Sequence, residues 1–197
     1  MKRKYDLVCF DLDGTLIEEE NGDVLWERTS ELIHGTREIT NKRYETYEKG
    51  ELKIDDWFEI DVSEWKSYGV TKDMMIQESK HSRLIEGVKE TLKILKSEGY
   101  RLAVISGSVD ILLDTVFPDH PFDEVFMNKL FFDKNGKLAK WEKMRNVNGR
   151  KDLVLKEIAK RENIPLSRTV FIGDHLNDIS AAKIAGLAIA FNSETKE

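Results

Sequence analysis

VCFDLDGTL, residues 8–16, runs an apolar stretch directly into two carboxylates, Asp11 and Asp13, at a place where charge is costly to bury. The segment DLVCF (Asp6–Phe10) that leads into it predicts a strand buried on both faces, the kind found in parallel sheets. The same short apolar runs recur as LAVIS (Leu102–Ser106), TVFIG (Thr169–Gly173) and LAIAF (Leu187–Phe191). Helical spacing separates them. Ile85, Val88, Leu92 and Leu95 repeat every three to four residues up to Gly99; Val154 and Ile158 do so before Ile164-Pro165, and Ile179, Ala182 and Ala185 do so before Gly186. This alternation predicts an α/β fold, a Rossmann-like parallel sheet with helices on both faces.

Residues 16–80 interrupt the rhythm. They contain no convincing strand, but Ile54, Trp57, Phe58, Asp61, Val62, Trp65 and Tyr68 fall on one helical face, so a small helical insertion after the first strand is expected. Residues 1–15 and 81–197 then form the core and 16–80 a separate unit. Trp26, Trp57 and Trp65 read as core of that unit rather than as a stacking surface. The stretch FMNKLFFDKNGKLAKW (Phe126–Trp141) reads as a hairpin turning at Asn135-Gly136.

Of 197 residues, 40% are hydrophobic, enough for one core-forming domain plus the insertion. No apolar run approaches the roughly 20 residues of a membrane helix, and MKRK meets Asp6 and Asp11 before a leader could develop, so a cytoplasmic protein without membrane contact is expected. The lone Cys9 lies inside the first strand and is expected to be a buried, inert thiol. The formal charge of -6 is uneven: residues 16–80 hold 17 Asp and Glu against 9 Lys and Arg. Such an acidic segment disfavours a nucleic-acid partner.

In an open parallel sheet ligands gather at the carboxyl ends of the strands, and the chemistry-bearing residues cluster there. Alternation puts Asp11 and Asp13 on one side of the extended chain, with Gly14-Thr15 allowing a turn. With Asp174 and Asp178 they make a hard-oxygen set suited to Mg²⁺. Ser106, Gly107 and Ser108 precede a helical pattern from Val109, and their hydroxyl and amide groups can hold an anion at a helix start. Lys151 opens the helix KDLVLKEIAK, where the dipole disfavours a cation, and Asp152 beside it offsets part of that cost. Asn177 reads as a cap for the last helix, and His175 as a solvent-facing residue near the metal set.

The order FDLDGT (Phe10–Thr15), ISGS (Ile105–Ser108), Lys151 and GDHLND (Gly173–Asp178) resembles the haloacid dehalogenase-like hydrolases, in their phosphoserine phosphatase-like branch. The insertion and the hairpin agree with that branch. The resemblance implies a Mg²⁺-dependent phosphomonoesterase acting on a small-molecule phosphate. Asp11 is then the nucleophile and Asp13 the general acid and base. Ser106, Gly107 and Lys151 hold the phosphoryl group. Asp11, the Asp13 backbone carbonyl and Asp174 bind the metal, with Asp178 as a further ligand or an orienting group. The insertion becomes a cap, with Glu20 standing where the branch keeps a substrate-binding glutamate. That branch also uses a cap arginine, but no arginine lies between Arg43 and Arg83, and LKIDDWFEIDVSEW (Leu52–Trp65) offers Glu59 and Asp61 instead. Phosphoserine is therefore the second substrate expectation; a phosphotransferase and a non-catalytic Mg²⁺- or phosphate-binding protein remain the other readings.

Overall fold

The computed structural model describes residues 3–147 and 149–192. From the amino end, β1 (Leu7–Phe10) leads through the two aspartates to a short strand β2 (Ile17–Glu19). Helices α1 (Leu25–His34), α2 (Glu38–Glu48), α3 (Ile54–Ser67) and α4 (Lys72–Ser79) follow, and β3 (Ser82–Leu84) returns the chain. Then come α5 (Val88–Ser97), β4 (Arg101–Val109), α6 (Asp110–Val116), β5 (Glu124–Phe132) and β6 (Leu138–Glu142). The remainder is α7 (Lys151–Arg161), β7 (Thr169–Gly173), α8 (Ile179–Ala182) and β8 (Leu187–Ala190).

One sheet runs in the order β6-β5-β4-β1-β7-β8, parallel except for the β5–β6 hairpin. Its faces follow from strand alternation. Val8 and Phe10 join Leu92, Val104, Leu112 and Met127 in one core layer, while Leu7 and Cys9 join Ala103, Ile105, Leu155, Ile158 and Phe171 in the other. Helices thus cover both faces, as the apolar strand runs required. Cys9 is buried, and loss of hydration pushes its thiol well above the ordinary range, so it is inert. Among the described residues no helix is long and apolar enough to cross a membrane.

Four features differ from the sequence reading. First, the insertion is bounded by strands: Ile17 pairs Leu84 and Glu19 pairs Ser82 in a two-stranded antiparallel ribbon. Three residues are too few to show alternation, and the partner is remote in sequence. Second, LAVIS does not yield to a helix at Ser106; β4 continues through an irregularity to Val109, and α6 starts at Asp110. Third, α5 begins only at Val88, after Gly87 with φ of 84°, and α8 ends at Ala182. Fourth, β8 is exposed along its length because it is the sheet edge, a position that an apolar run cannot reveal.

The insertion packs on itself and on the hairpin. Trp65 is fully buried, Trp57 and Phe58 are buried too, and the Trp26 ring centroid lies 4.3 Å from that of Trp65 at a tilt of 52°; Trp65 is core, as its spacing predicts, whereas Trp26 and Trp57 also line a cavity. Asp61, also fully buried, accepts the Trp26 indole N–H and pairs with Arg43. Glu59 accepts from Trp141 Nε1 at 2.9 Å, and Val70 O and Gly136 O meet Leu138 N and Lys72 N, which joins α3 and α4 to β6 and its turn.

Candidate active site

Because β4 and β7 flank β1 on opposite sides, the carboxyl ends of these three strands form a crevice where the strand order reverses. Asp11, Asp13, Ser106, Gly107, Ser108, Asp174, His175 and Asn177 line a cleft of about 490 Å³ there. Lys151, at the first turn of α7, reaches the floor of this cleft fully buried, with Nζ 2.8 Å from Asp11 Oδ1 and 2.7 Å from Asp178 Oδ1. All the motif residues singled out in the sequence therefore converge, except Glu20.

Each position has a local cause. Asp11 Oδ1 accepts both the Leu12 amide, at 2.8 Å, and Lys151, whereas Oδ2 takes part in neither bond. Gly14 at φ of +76° turns the chain back, so that Gly14 N meets Ile17 O at 2.8 Å. A Cβ at Gly14 would come within 2.3 Å of Asp174 Oδ2, so the absent side chain is what admits Asp174. Gly173 admits Asp178 in the same way, its Cβ position lying 2.3 Å from Asp178 Oδ2. Thr15 Oγ1 donates to Asp174 Oδ1 at 2.8 Å. Asp178 Oδ2 accepts the amides of Asp174 and His175, so this side chain both ties the loop after β7 and holds Lys151.

Burial is the main force on the protonation of these groups. It raises Asp11 to about 6, helped by the Asp178 charge and opposed by Lys151. It raises Asp13 to about 7, with the charges of Asp11 and Glu19 adding to it and the Ser108 hydroxyl opposing. Asp174 is raised by burial as well, against the Thr15 hydrogen bond. Burial alone would lower Lys151, but Asp11 and Asp178 outweigh it and hold the amine above its usual range, protonated.

A raised carboxyl binds a proton in the folded state that the unfolded chain releases. Its stabilising contribution is complete at pH below the unfolded value near 4 and is withdrawn as pH climbs to about 7. At pH 8, with EDTA present, Asp13→Asn is therefore expected to be more stable than the wild type by about 2 kcal/mol, after allowance for Asp13 being only partly buried. The gain should vanish near pH 4. Urea melts of both proteins at the two pH values measure it.

Asp11, Asp174 and Asp178 each bring one carboxylate oxygen within 4.8 Å of the others. Among the described residues Asp13 Oδ1 is buried with no protein partner. Three hard oxygen donors around a space adjoining an open cleft suit Mg²⁺, which takes few protein ligands and keeps water or phosphate oxygens for the rest of its octahedron. The residues present fit the ion, with Asp11 and Asp174 the better placed donors because Asp178 already holds Lys151 and two amides. Gly14→Ala strains the turn and pushes Asp174 aside. It is expected to cost about 1–3 kcal/mol and to raise the Mg²⁺ concentration needed for half-maximal turnover about tenfold; a metal titration and a denaturation midpoint read the two effects.

Glu20 is the exception. It is exposed, its carboxylate lies 3.4 Å from His81 Nδ1, and it is not among the cleft-lining residues. β2 alternates, so its neighbour Glu19 turns inward instead, with Oε2 held by Arg28 and Ser82 and Oε1 buried without a protein partner. Two further residues were underweighted in the sequence. Among the described residues Asn177 Oδ1 has no protein partner, and it is buried on the cleft wall. Asn128, fully buried in β5, donates to Gly107 O at 2.6 Å and accepts from Met144 N, which pins the Ser106–Ser108 backbone. No local signal marks Asn128, since a lone asparagine in a strand motif gains this meaning only from its neighbours in space.

A profile described as haloacid dehalogenase-like hydrolase matches residues 5–186. The chain is 35% identical over 195 residues to a phosphoserine phosphatase of Methanocaldococcus jannaschii, covering 97% of this chain and 87% of the relative. A solved phospho-aspartyl intermediate analogue of phosphoserine phosphatase superposes with a TM-score of 0.76 at 32% identity, over 97% of this chain and 88% of the other. A substrate-bound phosphoserine phosphatase complex gives the same TM-score at 31% identity, over 98% and 88%.

Proposed function

The chain belongs to the haloacid dehalogenase-like hydrolases and is a phosphatase of that family, and from this premise we propose a Mg²⁺-dependent hydrolase of small phosphomonoesters that works through an aspartyl-phosphate. The observation that carries this reading is the buried Asp11–Lys151–Asp178 array at the floor of the cleft. Lys151 and the Leu12 amide hold Asp11 Oδ1, so Oδ2 is the oxygen that attacks phosphorus. As that bond forms the phosphorus–alcohol bond breaks, and Asp13, held up to about 7, gives its proton to the leaving oxygen. Asp13 then takes a proton from the water that displaces Asp11 from phosphorus, which releases phosphate and restores both side chains. Ser106 and the Gly107 amide face the transferred group and, with Lys151, oppose the charge that spreads over its oxygens. Mg²⁺, held by Asp11, Asp174 and the Asp13 carbonyl, would supply electrostatic stabilisation of that charge and ease the approach of two anions. The four-helix insertion, hinged on the β2–β3 ribbon, serves as the cap that shields the reaction from water.

The names of the relatives make phosphoserine the second reading for the substrate. The test of the proposal is hydrolysis of p-nitrophenyl phosphate in Mg²⁺ and in EDTA, with acid-quenched protein assayed for covalently bound phosphate. Metal-dependent turnover with trapped phosphate is expected. Turnover unchanged by EDTA, or folded protein inactive towards every phosphomonoester in a broad panel, would overturn it.

A further inference from the structure

Beside the catalytic cleft lies a second, partly open compartment of about 330 Å³, lined in part by Trp26, Glu27, Thr40, Tyr44, Trp57 and Phe58. Val24, Trp26 and Gly107 line both spaces, so the compartment opens beside the residues that face the phosphoryl group. Its volume is that of a small-ligand site. Trp57 and Tyr44 stand 6.4 Å apart between ring centroids, and Trp26 is fixed by its bond to the buried Asp61. Trp57 and Phe58 are buried and Trp26 is tied, so that side of the wall is packed, whereas Tyr44 is an exposed ring.

The polar groups of this compartment are mixed, with Asn41 and the Trp57 indole N–H beside Thr40 and Glu27, and none of them is a cation. Thr40 is 6% exposed, and among the described residues its hydroxyl has no protein partner; it sits in the first turn of α2, where no earlier helical carbonyl is available to it. Glu27 is the only charged residue on the wall, and burial holds its carboxyl above the ordinary range. Among the described residues no arginine lines either space, and the one lysine that reaches the cleft floor, Lys151, is committed to Asp11 and Asp178. The three arginines of the insertion are already committed: Arg28 to Glu19 and Ser82, Arg37 to Asp23 and Glu31, and Arg43 to Asp61 and Glu64.

We infer that the substrate is a phosphomonoester whose alcohol carries an apolar, aromatic-sized body ending in an ammonium or other hydrogen-bond donor, and that a free carboxylate on it is rejected. This rests on the phosphatase reading above and names the leaving group for it. The body lies between Trp57, Phe58 and Tyr44, the donor meets Glu27 and the Thr40 hydroxyl, and aromatic faces favour a cation there. A carboxylate would instead face Glu18, Glu19 and Glu27 with no cation to receive it.

Matched esters that differ by one carboxylate test the inference. kcat/KM for O-phosphotyramine is expected to exceed that for O-phosphotyrosine at least about tenfold, phosphoethanolamine should exceed phosphoserine in the same sense, and O-phosphotyramine should exceed phosphoethanolamine. Glu27→Gln should cut the preference for O-phosphotyramine over phenyl phosphate about fivefold, and Tyr44→Ala, at an exposed ring, should cut its preference over phosphoethanolamine. Equal or faster turnover of the carboxylate-bearing member of each pair, or ratios that neither variant moves, overturns the inference. If no ester is hydrolysed, the phosphatase reading fails separately. Calorimetric binding of O-phosphotyramine and O-phosphotyrosine then decides the compartment by itself: tighter binding of O-phosphotyramine, weakened in Glu27→Gln, supports it, and equal binding or none rejects it.

Discussion

Asp11→Asn is expected to lower Mg²⁺-dependent hydrolysis of p-nitrophenyl phosphate by at least about 10⁴-fold while the protein stays folded. An amide is a poor nucleophile towards phosphorus, and the neighbouring carboxylates are committed elsewhere: Asp13, raised to about 7, carries the proton for the leaving oxygen, and Asp178 is tied to Lys151 and two amides. The substitution also removes a negative donor from the Asp11–Asp174–Asp178 set, so Mg²⁺ affinity should fall with it. Stability should change in the opposite direction at neutral pH, because burial raises Asp11 to about 6 and the charged form is disfavoured above that value. An assay at saturating Mg²⁺, paired with a denaturation curve in EDTA, separates the two effects. Residual turnover within about tenfold of the wild type would show that Asp11 is not the phosphoryl acceptor.

Lys151→Met is expected to damage both activity and fold. The ammonium is fully buried between Asp11 and Asp178, 2.8 and 2.7 Å away, and methionine matches its length without its charge. Two facing carboxylates would then share a dry site with no cation, a situation that costs about 3–5 kcal/mol when one partner of a buried ion pair is removed. Protonation relieves that repulsion, so the loss should be largest near pH 8 and shrink towards pH 5. Saturating Mg²⁺ should also recover part of it, since the ion neutralises Asp11. Turnover should fall by about 10³-fold or more even at saturating metal, because a charge aimed at the transferred phosphoryl oxygens is gone. Urea midpoints at the two pH values, with and without Mg²⁺, give four numbers whose ordering is set by this argument; a pH-independent loss would place the cost in packing instead.

Much of the fold was legible locally. The strands β1, β4 and β7 were visible because strands buried on both faces read as unbroken apolar runs, and α3 and α7 because their apolar residues repeat at helical spacing. The hairpin was written in Asn135-Gly136, where Gly136 takes φ of 76°. The Asp pair, Lys151 and the Gly173–Asp178 loop were legible because each breaks a local rule, charge at the end of a buried strand or a cation at a helix start, and such conflicts mark sites.

What the sequence could not decide depends on partners distant in the chain. The β2–β3 ribbon joins residues more than sixty positions apart, and that pairing sets how three consecutive glutamates are disposed: Glu18 and Glu19 line the cleft, Glu19 held by Arg28 and Ser82, while Glu20 meets solvent. Asp61 offers a second case. By itself it is an acidic residue on a helix otherwise rich in apolar groups; only packing shows that it is fully buried, joined to Trp26 and Arg43, and holding one wall of the compartment beside the cleft. The sequence by itself determined the sheet, the order of the chemical groups and the acidity of the insertion, because these follow from local periodicity and composition. The tertiary structure alone decided which carboxylates face the reacting centre and which faces remain to receive a ligand, because burial and pairing depend on the three-dimensional neighbours of each side chain.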